Sequence, residues 1–194
     1  MKVIGITGGI GAGKSKILDY LKEKHNAKIY QADMIAHQLQ LPGTEGYQKI
    51  IDYFGTCVLA KDKTIDRNIL GAIVFENPQK LQALNIIIHP LVKANIKEII
   101  KQESEKHTAL VVVEAALLLE DNYEQLCDEI WCVYANENIR KLRLKETRGY
   151  DDEKIARIMQ SQSPVEALLR KCKVVIDNSN DFSYTCEQIE NALR

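Results

Sequence analysis

Five short apolar segments alternate with longer stretches in which apolar residues recur at helical spacing. The predicted strands are "KVIGIT" (2–7), "AKIYQAD" (27–33), "ALVVVE" (109–114), "EIWCVYA" (129–135) and "KVVIDN" (173–178). Between the first two segments, Ile17, Leu18 and Leu21 follow the spacing of a helix that begins near Ser15. Continuous apolar strands that alternate with helices are typical of a parallel sheet covered on both faces. The pattern therefore predicts an α/β fold around a five-stranded parallel sheet flanked by helices.

The interval 34–108 is too long for a simple crossover and has helical periodicity almost throughout. It is predicted to be a helical insertion between the second and third strands. Pro90 lies inside one of its helical patterns and is expected to break or kink that helix at His89. Because no repeat or linker-like segment is visible, residues 1–194 are predicted to form one domain, with a core at 1–33 and 109–194.

The stretch "GITGGIGAGKSKI" (5–17) joins the first strand to the first helix. It matches the phosphate-binding pattern G-x-x-x-x-G-K-[ST] through Gly8, Gly13, Lys14 and Ser15. Glycines let the backbone approach an anion closely, and the following helix N-terminus adds positive potential. Lys14 can bridge phosphates, and the Ser15 hydroxyl can bind Mg²⁺. The residues predicted to contact the nucleotide here are Gly9, Gly11, Ala12, Gly13, Lys14, Ser15 and Lys16.

Composition and charge narrow the possible partners and the cellular location. The formal net charge is −1, which gives no sign of attraction to nucleic acid or to an anionic membrane. The five cysteines form no C-x-x-C pair and the four histidines are scattered, which argues against a disulfide framework or a metal cluster. No apolar run is long enough to span a membrane. The expectation is a cytoplasmic protein without nucleic-acid or membrane partners.

The motifs that are missing narrow the class of nucleotide-binding protein. The base-reading N-K-x-D motif of GTPases and the L-S-G-G-Q signature of transport ATPases are both absent. A small kinase that phosphorylates a small molecule fits the chain length best. Asp33, at the end of the second predicted strand, could accept the proton of the acceptor hydroxyl, or it could cap a helix that begins at Met34.

Two further features have both a functional and a structural interpretation. The segment "NENIRKLRLKETRG" (136–149) carries Arg140, Lys141, Arg143, Lys145 and Arg148. These side chains could close over ATP phosphates, or they could form an ordinary solvated helix face. His89, next to Pro90, could contact a ligand or serve only the packing of its helix.

Seven motifs, in order, resemble those of dephospho-CoA kinases. They are "TGGIGAGKS" (7–15), "QAD" (31–33), "IDRNILGAIVF" (65–75), "HP" (89–90), "ALLLE" (116–120), "RIMQSQ" (157–162) and "VIDN" (175–178). The resemblance implies a P-loop kinase fold with a substrate-binding insertion at about 34–108 and a basic lid at about 136–160. It also implies ATP-dependent phosphorylation of the 3′-hydroxyl of dephospho-CoA with Mg²⁺, the last step of coenzyme A synthesis.

The same resemblance assigns roles to individual residues. Asp33 would be the general base, and Arg67, His89 and Pro90 would bind the acceptor. Arg143, and less securely Arg140, would stabilise the transferring phosphoryl group. The nucleotide would also contact Arg148 in the lid and Asn178, since the loop after Asn178 would lie near adenine.

Departures from the family pattern leave some assignments open. Gln31 stands where the family usually has an acid, and Ala116 stands where it has proline. Arg143 matches the first lid arginine of the family, but Thr147 matches the second, and Arg148 is one residue away. The alternatives are another small-molecule kinase, acting on a nucleoside, nucleotide or sugar acid, and a nucleotide-dependent switch that binds a protein partner.

Overall fold

The computed structural model describes residues 1–115, 118, 123–162 and 165–194. The predicted motif "ALLLE" (116–120), apart from Leu118, lies outside these residues, as does the substitution at Ala116. Contacts divide the chain into two compact units, Met1–Ile29 with Glu103–Arg194, and Tyr30–Gln102. Among the described helices, none is both long and apolar enough to cross a membrane.

The five strands form one all-parallel sheet, as predicted. They are β1 (Lys2–Thr7), β2 (Lys28–Gln31), β3 (Leu110–Glu114), β4 (Glu129–Tyr134) and β5 (Val174–Asp177). Their order is β2-β3-β1-β4-β5, so β1 is central. The register sets Ile6 opposite Glu114 and Thr7 opposite Cys132. The carboxyl ends of β1, β3 and β4 therefore meet at one edge, where a loop after β1 can collect side chains from both neighbours.

Within the described ranges of the first unit there are five helices. They are α1 (Lys14–His25), α6 (Glu137–Arg148), α7 (Asp152–Gln160), α8 (Val165–Lys171) and α9 (Phe182–Leu193). Ile17, Leu18 and Leu21 of α1 are buried in one cluster with β1, β4 and β5 residues, which explains their helical spacing in the sequence. Fully buried Trp131 of β4 lies in the same cluster. This packing fixes the start of α1 next to the end of β1.

The second unit is built from helices, as the periodicity of its sequence predicts. They are α2 (Ala32–Gln38), α3 (Glu45–Phe54), α4 (Arg67–Phe75) and α5 (Pro78–Glu105), whose end extends into the first unit. Thr44 caps α3 by accepting a hydrogen bond from the Tyr47 N–H. Asp66 caps α4 by accepting from Asn68 and Ile69. These caps fix the entry of the chain into both helices.

Of the two outcomes expected at His89, a break or a kink, the break is wrong, because α5 continues through Pro90 from Pro78 to Glu105. The kink stays a prediction. A proline removes one helical hydrogen bond and crowds the preceding turn. Ile88 and Val92, on either side of Pro90, are both buried, and so is Ile96 one turn further on. Burial of this apolar face offsets the local cost of the proline and keeps the helix continuous.

The second strand is shorter than predicted. β2 ends at Gln31, and Asp33 lies in the first turn of α2 instead of at the end of a strand. Its alternative role as the cap of a helix starting at Met34 is also wrong, because Gln31 occupies the N-cap position of α2. Ala32 is a strong helix former, and an acidic residue is favoured in the first turn by the helix dipole. These two local preferences start the helix earlier than the apolar pattern suggested.

Candidate active site

The loop between β1 and α1 changes direction sharply before the helix begins. Gly13 is the N-cap residue of α1 and has a φ of 91°. A Cβ atom at Gly13 would overlap the Asn178 amide, so both the backbone angle and the available space require glycine. Within the loop, the Ala12 N–H donates to the Gly9 carbonyl at 3.2 Å. The result is a tight backbone loop that leads directly into a helix N-terminus, the arrangement that binds phosphates.

Lys14, the first residue of α1, folds back over this loop. Its Nζ donates to the Gly8 carbonyl at 2.8 Å and lies 3.7 Å from Oε1 of Glu114. Glu114 ends β3 and is only 8% exposed. Glu114 is not among the residues that the sequence predicts for the site. The signal that could have identified it is its position at the carboxyl end of a buried strand next to β1.

Arg140 of α6 contacts the middle of the loop. Its Nε donates to the Ile10 carbonyl at 2.8 Å, and its Nη2 donates to Oε1 of Gln162 at 3.0 Å. The guanidinium lies so close to Gly9 that a Cβ there would be 2.5 Å from Nη2. Burial lowers the pKa of Arg140, but an arginine remains charged at neutral pH. A fixed positive charge therefore lies against the phosphate loop.

Arg143, one turn further along α6, holds the last part of the loop together with Asn178. Arg143 donates from Nη1 to the Ala12 carbonyl at 3.3 Å and from Nη2 to the Asn178 carbonyl at 2.8 Å. The Asn178 amide donates to the same Ala12 oxygen at 2.8 Å and accepts a hydrogen bond from Thr185 at 3.1 Å. Asn178 is 3% exposed, so this support for the loop is buried.

The other polar side chains predicted for the nucleotide site are exposed. Ser15 is exposed in the first turn of α1. Lys16 is also exposed, and its Nζ lies 4.0 Å from the ring centroid of Phe182. Arg148 is exposed at the end of α6, with Cζ 5.9 Å from the ring centroid of Tyr150. The structure thus brings Lys14, Arg140 and Arg143 to the loop, while Lys16 and Arg148 lie against aromatic rings.

The second unit contains a cavity of about 220 Å³. Its lining residues are His37, Gln40, Leu41, Thr64, Ile65 and Arg67. Arg67 is the first residue of α4, and His37 lies in the last turn of α2, the helix that carries exposed Asp33 in its first turn. His89 and Pro90 are not among the described residues that line this cavity. The cavity combines apolar walls with an arginine and an imidazole.

Comparison with known proteins finds similarity to dephospho-CoA kinases. A family model described as dephospho-CoA kinase matches residues 2–183. A dephospho-CoA kinase from Carboxydothermus hydrogenoformans is 42% identical over 195 residues, covering 100% of this chain and 94% of the relative. The match extends through the loop, the helical second unit and α6.

Solved structures give the same result for the fold. A dephospho-CoA kinase from Campylobacter jejuni superposes with a TM-score of 0.73 at 28% identity, covering 100% of this chain and 96% of the other. A shikimate kinase from Acinetobacter baumannii gives a TM-score of 0.56 at 13% identity, covering 99% and 91% of the two chains. The second similarity concerns the fold alone, and it agrees with the predicted P-loop kinase architecture. The resemblance noted in the motifs is confirmed, and the chain belongs to the dephospho-CoA kinase family.

Proposed function

We propose that the chain transfers the γ-phosphoryl group of ATP to the 3′-hydroxyl of dephospho-CoA, giving coenzyme A and ADP. Membership of the family makes it a kinase that uses ATP. The observation that carries the proposal is the set of donors around the loop. Lys14, Arg140 and Arg143 donate to the carbonyls of Gly8, Ile10 and Ala12, which are alternate residues of the loop. Three positive charges held this close suit a polyphosphate whose charge shifts during transfer.

The reaction consists of one in-line displacement. The acceptor hydroxyl oxygen forms a bond to the γ-phosphorus, the bond between that phosphorus and the bridging oxygen breaks, and ADP leaves with the bonding electrons. The proton of the hydroxyl goes to the carboxylate of Asp33. In a loose transition state the orientation of the hydroxyl matters more than the strength of the base. An aspartate is therefore sufficient for this role.

The residues present fit a requirement for Mg²⁺. This ion prefers oxygen ligands and commonly takes only one or two from the protein, the remainder being phosphate oxygens and water. The Ser15 hydroxyl lies in the first turn of α1, and the Glu114 carboxylate lies 3.7 Å from Lys14, so oxygen donors are available in this unit. When bound, the ion would neutralise charge on the β- and γ-phosphates.

The second unit is proposed to bind the acceptor. Arg67 at the cavity can pair with the diphosphate of dephospho-CoA, and the apolar lining can contact less polar parts of the molecule. His89 and Pro90 of α5 would contact the acceptor outside the cavity lining. In this proposal the acceptor-binding insertion spans about 34–108 and the lid spans about 136–160, as predicted from the sequence. Arg148 would contact the nucleotide when the lid closes, and the reaction would take place in the cytoplasm.

The direct test is ADP formation from Mg·ATP with and without 3′-dephospho-CoA, combined with mass analysis of the product. Dephospho-CoA-dependent ADP release and a product heavier by one phosphoryl group would support the proposal. A panel with nucleosides, nucleoside monophosphates, shikimate and sugar acids controls for acceptor choice. Activity on one of these acceptors and none on dephospho-CoA would contradict it. Hydrolysis stimulated only by a macromolecule would favour a nucleotide-dependent switch.

A further inference from the structure

Gln162 joins the end of α7 to the phosphate loop through one oxygen atom. Its Oε1 accepts from the Ile10 N–H at 3.1 Å and from Nη2 of Arg140 at 3.0 Å. Because Nε of Arg140 donates to the Ile10 carbonyl at 2.8 Å, the three residues form a closed ring of hydrogen bonds. Both backbone polar groups of Ile10 are therefore bound by side chains. The amide must present its oxygen here, since both neighbours are donors.

The backbone of Gln162 is itself held in place. Its N–H donates to the Met159 carbonyl at 3.3 Å, which continues the last turn of α7. Asp151 caps the other end of α7, and Lys145 forms an ion pair with Asp152 at 2.7 Å that joins α6 to α7. Arg140 thus projects from α6, and Gln162 from the residues directly after α7, a helix that is linked to α6. A side chain on such a support can orient its neighbour.

Arg140 needs this support because an arginine side chain has many rotamers. Without these hydrogen bonds, the Arg140 side chain would lose rotamer entropy each time a nucleotide bound. Two hydrogen bonds already hold the guanidinium against Gly9. Among the described residues, neither bond uses Nη1, which leaves that nitrogen available to a phosphate oxygen. The neutral amide of Gln162 orients Arg140 without a negative charge. A glutamate at this position would place a negative charge near the phosphates.

We propose that Gln162 is a positioning residue for phosphoryl transfer, which acts by holding Arg140 and the Ile10 N–H in the geometry that receives the transferring group. The inference rests on the proposed function for the role of Arg140. It predicts that Gln162 contributes to turnover more than to acceptor binding, since its partners face the nucleotide loop. It also predicts that Gln162 has no separate effect once the arginine is removed.

The test compares Gln162→Met with Gln125→Met, a matched change at an exposed residue outside the insertion and the lid. Methionine keeps the length of the side chain and removes the acceptor oxygen. We expect kcat to fall about 10–100-fold in Gln162→Met, with KM for dephospho-CoA changed less than about threefold. Gln125→Met should match the wild type. Gln162→Asn keeps the amide but is one methylene too short to reach both donors, so it should show the same loss of kcat. Because it is a polar and smaller change, it distinguishes the loss of the hydrogen bonds from a folding defect caused by methionine.

A double-mutant cycle with Arg140→Met separates positioning from general packing. If Gln162 acts through the arginine, Gln162→Met/Arg140→Met will have the kcat of Arg140→Met alone. Losses that multiply, or a Gln162→Met enzyme as active as Gln125→Met, would overturn the role of Gln162 while leaving the proposed function intact. A wild-type enzyme without dephospho-CoA-dependent ADP release would overturn both. Thermal unfolding of each variant should shift Tm by less than about 4 °C.

Discussion

Arg143 and Asn178 donate to the same carbonyl oxygen, that of Ala12, at 3.3 and 2.8 Å. Arg143 also donates to the Asn178 carbonyl at 2.8 Å, so the two residues support each other. Asn178 follows β5, and Arg143 lies on α6. The residue before the glycine cap of α1 is therefore held by two parts of the chain that are distant from it in sequence. This arrangement makes the loop rigid before a nucleotide binds.

Replacing Asn178 by leucine should weaken both the fold and the nucleotide site. The change keeps the number and branching of the side-chain heavy atoms but removes the donor to Ala12 and the acceptor for Thr185, which is fully buried. We expect the free energy of unfolding to fall by about 1–3 kcal/mol and KM for ATP to rise about tenfold. Urea unfolding and ATP titration check the two effects. Asn191→Leu, at an exposed position of α9, should change neither, and equal effects in both variants would contradict this role for Asn178.

Asp33→Asn should retain ATP binding and lose most turnover. The amide cannot take the proton of the acceptor hydroxyl and carries no charge to orient it. We expect kcat to fall about 10²–10⁴-fold with the Kd for ATP unchanged. The measurement is steady-state ADP formation together with nucleotide titration. Asp52→Asn, an exposed change in α3 of the same unit, is the control. Wild-type turnover in Asp33→Asn would remove Asp33 from the mechanism.

Lys14→Met should reduce both nucleotide affinity and rate. The methionine keeps an apolar chain of similar length but loses the charge that the structure places 2.8 Å from the Gly8 carbonyl. We expect kcat/KM for ATP to fall at least about 10²-fold, because Lys14 would contact phosphates in both the ground and transition states. Lys22→Met, at an exposed position of the same helix, should behave as wild type. Full activity in Lys14→Met would be incompatible with a working phosphate loop.

The regular elements could be predicted from the sequence because their signals are local. β1 matches its predicted bounds of 2–7, since its residues from Val3 onward are buried and a buried parallel strand has few polar positions. The errors at Asp33 and Pro90 arise where packing or helix propensity competes with the apolar pattern. At Pro90, burial of the apolar residues of α5 maintains the helix. The sequence around His89 does not show which of these residues will be buried.

The phosphate loop could also be predicted, but its supporting contacts could not. The bond between Ile10 and Gln162 joins residues 152 positions apart, and that between Arg140 and Ile10 joins residues 130 positions apart. A glutamine in a polar segment has no periodicity or spacing that indicates its partner. The basic segment 136–149 was visible as a group of cations, yet only the fold shows which of them contact the loop.

Arg143→Ala should reduce activity more than Arg148→Ala. Arg143 donates to two carbonyls at the loop, whereas Arg148 lies exposed beside Tyr150. We expect kcat to fall about 10–100-fold for Arg143→Ala, and only a few-fold for Arg148→Ala. KM for dephospho-CoA should change less than kcat in Arg143→Ala. The measurement is steady-state kinetics with each substrate varied in turn, and the reverse ranking would mean that Arg148 is the principal arginine of the lid.

Glu129 should make the free energy of unfolding decrease at acidic pH. Its carboxylate lies 2.6 Å from Lys173 and 3.1 Å from Lys2, and it accepts a hydrogen bond from Trp131 at 3.2 Å. The bond from Lys173, followed by those from Trp131 and Lys2, lowers the pKa of Glu129 from 4.5 to about 2. The unfolded chain therefore binds this proton at a higher pH than the folded chain does. The resulting stabilisation is complete above about pH 5 and is lost as the pH falls toward 2.

Glu129→Gln tests this acid dependence, because it keeps the shape of the side chain and removes the charge. At pH 7 we expect the variant to be less stable by about 1–2 kcal/mol, a value reduced for the exposure of the lysines. The difference from wild type should shrink as the pH is lowered from 5 to 2, since the wild-type carboxylate then becomes neutral as well. Urea unfolding across this range measures it, with exposed Glu23→Gln as the control. A difference that stayed constant with pH would assign the loss to hydrogen-bond geometry instead of charge.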